Sequence, residues 1–256
     1  MMLDAVKVPF FINENMQYLG CDNPNSQSLQ DAFDNDMTRY FSYPYDISYI
    51  FNSRGFRDSE WPTEDLNKHI WCIGDSATLG TGVSLEHRYS SLLPKAINVS
   101  RILADNEWIT DNTISILMEV KPKLIVIQWS YYHRNYLGPE KHVPLKGAYG
   151  EILRSQMMKL KLALTSQDKF DSDYLFHLIQ KVENLKNNTK VIHLLTPNFH
   201  VGFNFLDRVK NRVENCLYID WIDDARDITF HYGIESHKII ADKITQLCHE
   251  KNINIW

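Results

Sequence analysis

The chain is poor in the residues that mark several common functional classes. Four cysteines occur in 256 residues, at 21, 72, 216 and 248, and no two form a CxxC pair. That argues against zinc ribbons and thioredoxin-like redox chemistry. Cys72 lies inside an apolar run and Cys216 opens another, so both read as small core residues, not reactive thiols. Cationic charge is also scarce. Lys and Arg number 27 against 32 Asp and Glu, a net charge of -5, and no long basic run occurs. A nucleic-acid surface needs clustered cations, so nucleic acid is not an expected partner. No stretch reaches 18 apolar residues, and Met1–Lys7 has neither a charged start nor a long apolar segment after it. The expectation is a cytoplasmic protein without signal peptide or membrane span. The ten histidines include no HExxH spacing, so no metal and no cofactor are expected. No internal repeat is visible, and nothing in the sequence reads out an oligomeric state.

What is present fits a globular enzyme or binding domain. Apolar residues make up 44% and charged residues 23%. The length suits one α/β domain with decoration, or at most two small ones. Residues 1–68 carry no strand–helix rhythm and are rich in Asn, Asp, Ser, Tyr and Phe. Within them, Tyr43–Phe51 is aromatic and β-branched and predicts an extended segment at a sheet edge. Asn52–Arg57 predicts a turn. This N-terminal extension is expected to pack on the main domain, residues 69–256.

From residue 69 the pattern changes. Apolar runs at Ile70–Gly74, Ala96–Val99, Leu124–Trp129, Val191–Leu195 and Leu217–Ile222 predict buried strands. Helical stripes lie between and after them: Trp108, Ile109, Ile114, Leu117 and Met118; a less regular one over 152–164; Tyr174, Leu175, Leu178, Ile179, Val182 and Leu185; and Ile239, Ile240, Ile244 and Leu247. Strands alternating with helices imply an α/β fold: a mostly parallel five-stranded sheet covered on both faces, three layers in all. The segment from Tyr131 to Gly150 breaks this rhythm just after a strand, with three tyrosines, a histidine and an arginine within Tyr131–Pro139 alone. It reads as a surface loop or a lid.

One strand ends on Gly74-Asp75-Ser76, followed by Gly80 and Gly82, with a helix expected near Glu86. A hydroxyl at the carboxyl edge of a parallel sheet sits where such folds bind ligands. Free backbone amides of the turn beside it can stabilise an oxyanion. The same residues are ordinary turn formers and helix caps, so the rest of the chain must supply a base and an acid. The stretch Asp223–Ala241 offers both, since it follows the last strand and leads into the last helix. A serine is a poor nucleophile until a neutral imidazole takes its proton, and a carboxylate on the other ring nitrogen holds that imidazole in the needed tautomer.

These segments resemble the SGNH (GDSL) hydrolases. Ile73–Val83 is similar to the family's nucleophile block. Asp227, His231, Gly233, His237 and Ala241 are similar to its acid–histidine segment and the helix that follows. Asn52–Arg57 resembles a segment preceding the nucleophile in some bacterial and phage members. The resemblance covers residues 70–250 and implies a flavodoxin-like SGNH fold. It also implies Ser76 as nucleophile, His231 as base and Asp227 as acid, with His237 structural. An oxyanion and substrate-binding lining would be drawn from Gly74, Asp75, Ile102 and Ser130. Three departures stand out. Three residues, not two, separate Asp227 from His231, which leaves Asp224 as an alternative acid. The stretch Asn98–Asn106 lacks the glycine of the second block. Ser130 stands where the third block has asparagine. The implied activity is hydrolysis of a carboxylic ester of a small molecule or carbohydrate, an O-acetyl group on a sugar being one candidate. The alternatives are an O-acyltransferase using the same site and a catalytically decayed scaffold that binds glycan or protein.

Overall fold

The computed structural model describes residues 15–17, 47–102, 104–130, 168–195, 209, 211–219 and 231–255. The chain order is β1 (Asn15–Gln17), β2 (Ser48–Ile50), β3 (Ile70–Gly74), α1 (Ser76–Leu79), α2 (Tyr89–Leu92), β4 (Ala96–Ser100), α3 (Asn106–Glu119), β5 (Leu124–Gln128), α4 (Asp168–Leu185), β6 (Lys190–Leu195), β7 (Cys216–Tyr218) and α5 (Ile234–Glu250). Single 3-10 turns cover Leu66–Lys68 and Leu85–His87. The predicted helix over 152–164 and the loop 131–150 lie outside the described residues.

Strands β3 to β7 form one sheet in the order β4-β3-β5-β6-β7. Every pairing in it is parallel. Counted from β3 this is the order 2-1-3-4-5 of a doubly wound sheet. The central strands are buried on both sides, which is why Ile70-Trp71-Cys72-Ile73 and Leu124-Ile125-Val126-Ile127 read as continuous apolar runs. Alternate residues face opposite layers. Trp71, Ile73, Ile125, Ile127 and Val191 pack with Trp108, Ile109 and Ile116 of α3 and Leu175, Leu178 and Ile179 of α4. Ile70, Cys72, Leu124, Val126 and Ile192 pack with Tyr89 of α2 and Ile240, Ala241, Ile244 and Cys248 of α5. Three layers result. Cys72 and Cys248 are buried free thiols within the second of these clusters.

Several boundaries differ from the sequence pattern. Strand β5 stops at Gln128, and Trp129 leaves the strand to enter the α3–α4 face of the core. Strand β7 spans Cys216–Tyr218, short of the predicted end. The helix expected near Glu86 is a 3-10 turn, and true helices begin earlier at Ser76 and later at Tyr89. Within the expected extended segment, the described strand Ser48–Ile50 belongs to a sheet other than the five-stranded one. It pairs antiparallel with Asn15–Gln17 in a separate two-stranded sheet.

Residues 47–61 are bound into the α/β unit by side chains. Ile47, Tyr49 and Phe51 cluster with Leu79 and Ile102. Phe56 and Trp61 join the core beneath β3, stacked on each other at 4.9 Å. Asn52 organises the turn that leads into Phe56, since its Oδ1 accepts the N–H groups of Arg54 and Phe56, both at 3.0 Å. Asp58 accepts the Asn98 N–H of β4 at 2.9 Å and forms a buried ion pair with Arg88.

Candidate active site

The site forms at the carboxyl ends of β3 and β5, on either side of which the winding of the sheet reverses. Gly74 ends β3, and the chain turns straight into α1. A methyl group at Gly74 would overlap the Thr78 hydroxyl and stand 3.0 Å from the Gln128 carbonyl oxygen, so this close helix–sheet approach requires glycine. Asp75 caps α1 by accepting the Ala77 N–H at 3.0 Å. Ser76 is therefore the first residue of the helix, where the backbone N–H has no intrahelical acceptor.

The Ser76 Oγ lies 2.8 Å from His231 Nε2, across 155 positions of sequence. Both residues are placed by neighbours in the core. Tyr232 is buried in the α2–α5 face, and Gly233 caps α5, so His231 is delivered by the residue that enters the helix cap. Behind Tyr232 stands His237, edge-on to it at 6.2 Å and stacked on Tyr89 at 6.1 Å. Burial first, then Arg57, Arg88 and His231, hold the His237 imidazole down to about 3. It is a neutral structural ring. Asp224 and Asp227 lie outside the described residues.

The remaining sequence-selected residues fall around the same edge in different roles. Ser130 follows β5 and is buried; its Oγ donates to Asp75 Oδ2 at 2.7 Å, and its N–H donates to Asn106 Oδ1 at 3.0 Å. A hydroxyl carries one proton, so this bond directs Ser130 toward holding Asp75 and away from an incoming oxyanion. Ile102 follows β4. The chain there is tied to the turn at Gly74-Asp75-Ser76 by the Arg101 N–H, which donates to the Gly74 carbonyl at 3.3 Å. The Ile102 side chain packs on the Tyr49 cluster.

Other groups at this edge were not selected from the sequence. Thr78 Oγ1 donates to Gln128 Oε1 at 2.7 Å and meets the Tyr89 hydroxyl at 3.1 Å, while the Thr78 carbonyl accepts from Asn98 Nδ2 at 2.8 Å. These bonds anchor α1 to β5, α2 and β4. Trp129 Nε1 donates to His193 Nδ1 at 2.9 Å, and His193 Nε2 donates to Glu183 at 3.2 Å. Burial lowers the His193 pKa against the opposing pull of Glu183, so this ring too is neutral. A polar residue inside an otherwise apolar strand, as at Gln128 and His193, is the one sequence signal these groups leave. Among the described residues no cluster of His, Cys, Asp or Glu could hold a metal ion, and no helix is long and apolar enough to cross a membrane.

No protein-family model and no curated protein matches the chain. Solved structures do. The chain is similar to a carbohydrate esterase family 2 enzyme with a carbohydrate-binding domain from Myceliophthora fergusii, at 12% identity over 75% of this chain and 68% of that one, with a TM-score of 0.45. It is similar to the psychrotrophic esterase EstA of Pseudoalteromonas at 13% identity, over 73% of this chain and 100% of that one, with a TM-score of 0.45. It is also similar to a GDSL-like lipase from Bacteroides thetaiotaomicron at 11% identity, over 88% of this chain and 98% of that one, with a TM-score of 0.43. The likeness is one of fold.

Proposed function

We propose that the chain is a serine ester hydrolase, and that Ser76 and His231 are its nucleophile and base. The observation that carries this reading is the 2.8 Å contact between the Ser76 hydroxyl and His231 Nε2 at the carboxyl edge of the sheet. Nothing in local folding requires that contact, whereas general-base catalysis does. In the proposed reaction the Ser76 Oγ attacks the ester carbonyl and its proton passes to His231 Nε2. The negative charge on the carbonyl oxygen is met by the Ser76 N–H at the start of α1 and by the backbone amide of Ile102. The protonated imidazole then returns its proton to the leaving alcohol. Water, activated by the same imidazole, hydrolyses the acyl-enzyme. Asp227 or Asp224 orients the ring through Nδ1. Gly74 lets α1 approach the sheet, and Asp75 and Ser130 lock its first turn. The substrate class is a carboxylic ester, with an O-acetylated carbohydrate as the leading candidate.

One observation favours a second reading. The Ser130 proton goes to Asp75, which leaves oxyanion stabilisation to backbone amides. A site so reduced would suit a scaffold that binds a glycan or protein without cleaving it. The two readings separate in one experiment. The hydrolase reading expects p-nitrophenyl acetate hydrolysis and fluorophosphonate labelling at Ser76, both lost in Ser76→Ala and His231→Ala with the melting temperature retained. Loss of the nucleophile or base is expected to cost on the order of 10⁶ in kcat where the triad acts as a unit. Unlabelled wild-type protein that is well folded would overturn the hydrolase reading.

A further inference from the structure

We infer that Arg57 is a positioning residue for Ser76, acting through the turn that follows the nucleophile helix. The inference rests on the reading of Ser76 as the reactive hydroxyl. Arg57 closes the Asn52–Arg57 segment, 19 positions before Ser76 by the numbering, and its side chain is fully buried. Its Nη1 donates to the carbonyls of Leu79 at 3.0 Å and Gly80 at 2.6 Å, and its Nη2 donates to the Val83 carbonyl at 2.7 Å. The planar guanidinium thus ties the carbonyls of Leu79, Gly80 and Val83 together at and just beyond the carboxyl end of α1, from two nitrogens held in a fixed fork that a point-like ammonium lacks.

That turn holds the nucleophile. The Ser76 carbonyl accepts both the Gly80 N–H and the Thr81 N–H, each at 3.1 Å. Any loosening of residues 79–83 is passed to the Ser76 backbone within one helical turn. Gly80 makes the closure possible. Its φ of 78° is left-handed, and a methyl group there would stand 2.8 Å from the Arg88 Cβ and 3.3 Å from Arg57 Nη1. Tyr49 completes the clamp from the other side. Its hydroxyl accepts the Gly82 N–H at 2.7 Å, and its ring lies 3.8 Å under the Arg57 guanidinium.

The location of this cation needs an explanation beyond packing. Among the described residues Arg57 has no carboxylate within ion-pair distance; the adjacent Asp58 pairs with Arg88. Burial lowers the Arg57 pKa to about 10, so it stays charged at neutral pH. A buried cation held by carbonyls and one aromatic ring, with no carboxylate, is costly to place, and an apolar side chain would fill the space more cheaply. What only the guanidinium supplies is a rigid three-point tie on the nucleophile turn. Arg88 holds it in place by donating to the Arg57 carbonyl.

The test uses the full chain with Arg57→Lys and, separately, Tyr49→Phe, which removes the hydroxyl that accepts the Gly82 N–H and keeps the ring under the guanidinium. Two readouts are taken well below the melting temperature: amide exchange along 76–83, and the rate and half-saturating concentration of fluorophosphonate labelling at Ser76. In Arg57→Lys the amides of Gly80, Thr81 and Gly82 are expected to exchange about tenfold faster or more, while those of Ile73 and Val126 keep their wild-type rates. Labelling slows about tenfold at unchanged half-saturation, the signature of a displaced nucleophile and not of a lost binding contact. Tyr49→Phe gives the same pattern in smaller degree, and it carries the test if the lysine variant fails to fold. Wild-type exchange at the turn in a folded variant overturns the clamp. Faster exchange with wild-type labelling shows a purely structural tie and overturns the positioning role. Failure of the Ser76 reading is distinguishable: the wild-type protein then takes no label while turn exchange still responds to Arg57.

Discussion

Stability should fall steeply in mild acid because of one ring, His237. It is 0% exposed and its Nδ1 accepts the Tyr89 N–H at 3.2 Å, so the neutral ring carries its proton on Nε2. A second proton would have to go on Nδ1. That would set donor against donor and bury a charge near Arg57, Arg88 and His231. Burial, then those three groups, lower the pKa to about 3. In the unfolded chain it returns to about 6.5. Between about 6.5 and about 3 the unfolded chain therefore holds a proton that the folded protein does not. Stability present above that window is lost as pH falls through it, by about 1.4 kcal/mol per pH unit, or roughly 2–3 kcal/mol by pH 4.5. The assay is urea unfolding followed by tryptophan fluorescence from pH 7.5 to 4.5, on wild type and His237→Asn. Asparagine keeps an acceptor for the Tyr89 N–H but does not titrate. His193, also held neutral, acts in the same direction in both proteins and cancels in the difference. Relative to the variant, wild type should lose about 2–3 kcal/mol across the range. Parallel curves would refute the assignment of a buried neutral ring.

Two further outcomes follow from the same edge of the sheet. Ser130→Ala removes the donor to Asp75 Oδ2, and should cost about 1–3 kcal/mol by thermal or urea unfolding while lowering kcat less than tenfold. A fall of about 10²–10³ in kcat at unchanged stability would instead make Ser130 an oxyanion donor. Asp58→Asn strips the buried Arg88 of its counter-ion and should cost roughly 3–5 kcal/mol in the unfolding assay, with the loss insensitive to added salt because the pair is buried; a loss below 1 kcal/mol would contradict the pairing.

The layered architecture was legible because parallel strands buried on both faces leave unbroken apolar runs. Ile70-Trp71-Cys72-Ile73 and Leu124-Ile125-Val126-Ile127 show this without any alignment. Strand ends were less legible. Trp129 is as apolar as the residues before it, yet its indole N–H is drawn to His193 Nδ1 in the α3–α4 face, and the strand stops one residue earlier. Which sheet the extended stretch around Ser48–Ile50 joins was not legible either. β-Propensity says that a segment is extended, not which strand it joins. The approach of positions 76 and 231 was readable from the strand order, which brings both to one sheet edge, and the motif resemblance singled out His231, since no periodic signal links residues 155 apart. Arg57 stood out only as the last residue of a segment with a motif resemblance, and with no role attached to it. Its three partners are backbone carbonyls, which every residue carries, so no side-chain pattern could reveal them.

The missing glycine after β4 is explained by the same division between side chain and backbone. Glycine is required where φ is left-handed or a neighbour leaves no room for Cβ. Neither condition holds there: Ser100, Arg101 and Ile102 do not adopt the left-handed backbone. The segment is instead held by the Arg101 N–H on the Gly74 carbonyl and by the Ile102 side chain, which packs among Ile47, Tyr49, Phe51 and Leu79. An oxyanion donor at this position needs only an N–H fixed in direction, and any residue but proline supplies one. A side chain anchored in an apolar cluster fixes that direction at lower entropic cost than a glycine would. Residues 47–57 of the N-terminal extension contribute to that cluster, and through Arg57 and Tyr49 they also hold the turn that follows Ser76. Residues 47–57 thereby brace both halves of the proposed oxyanion site, the Ser76 N–H from behind α1 and the Ile102 N–H from beneath its side chain.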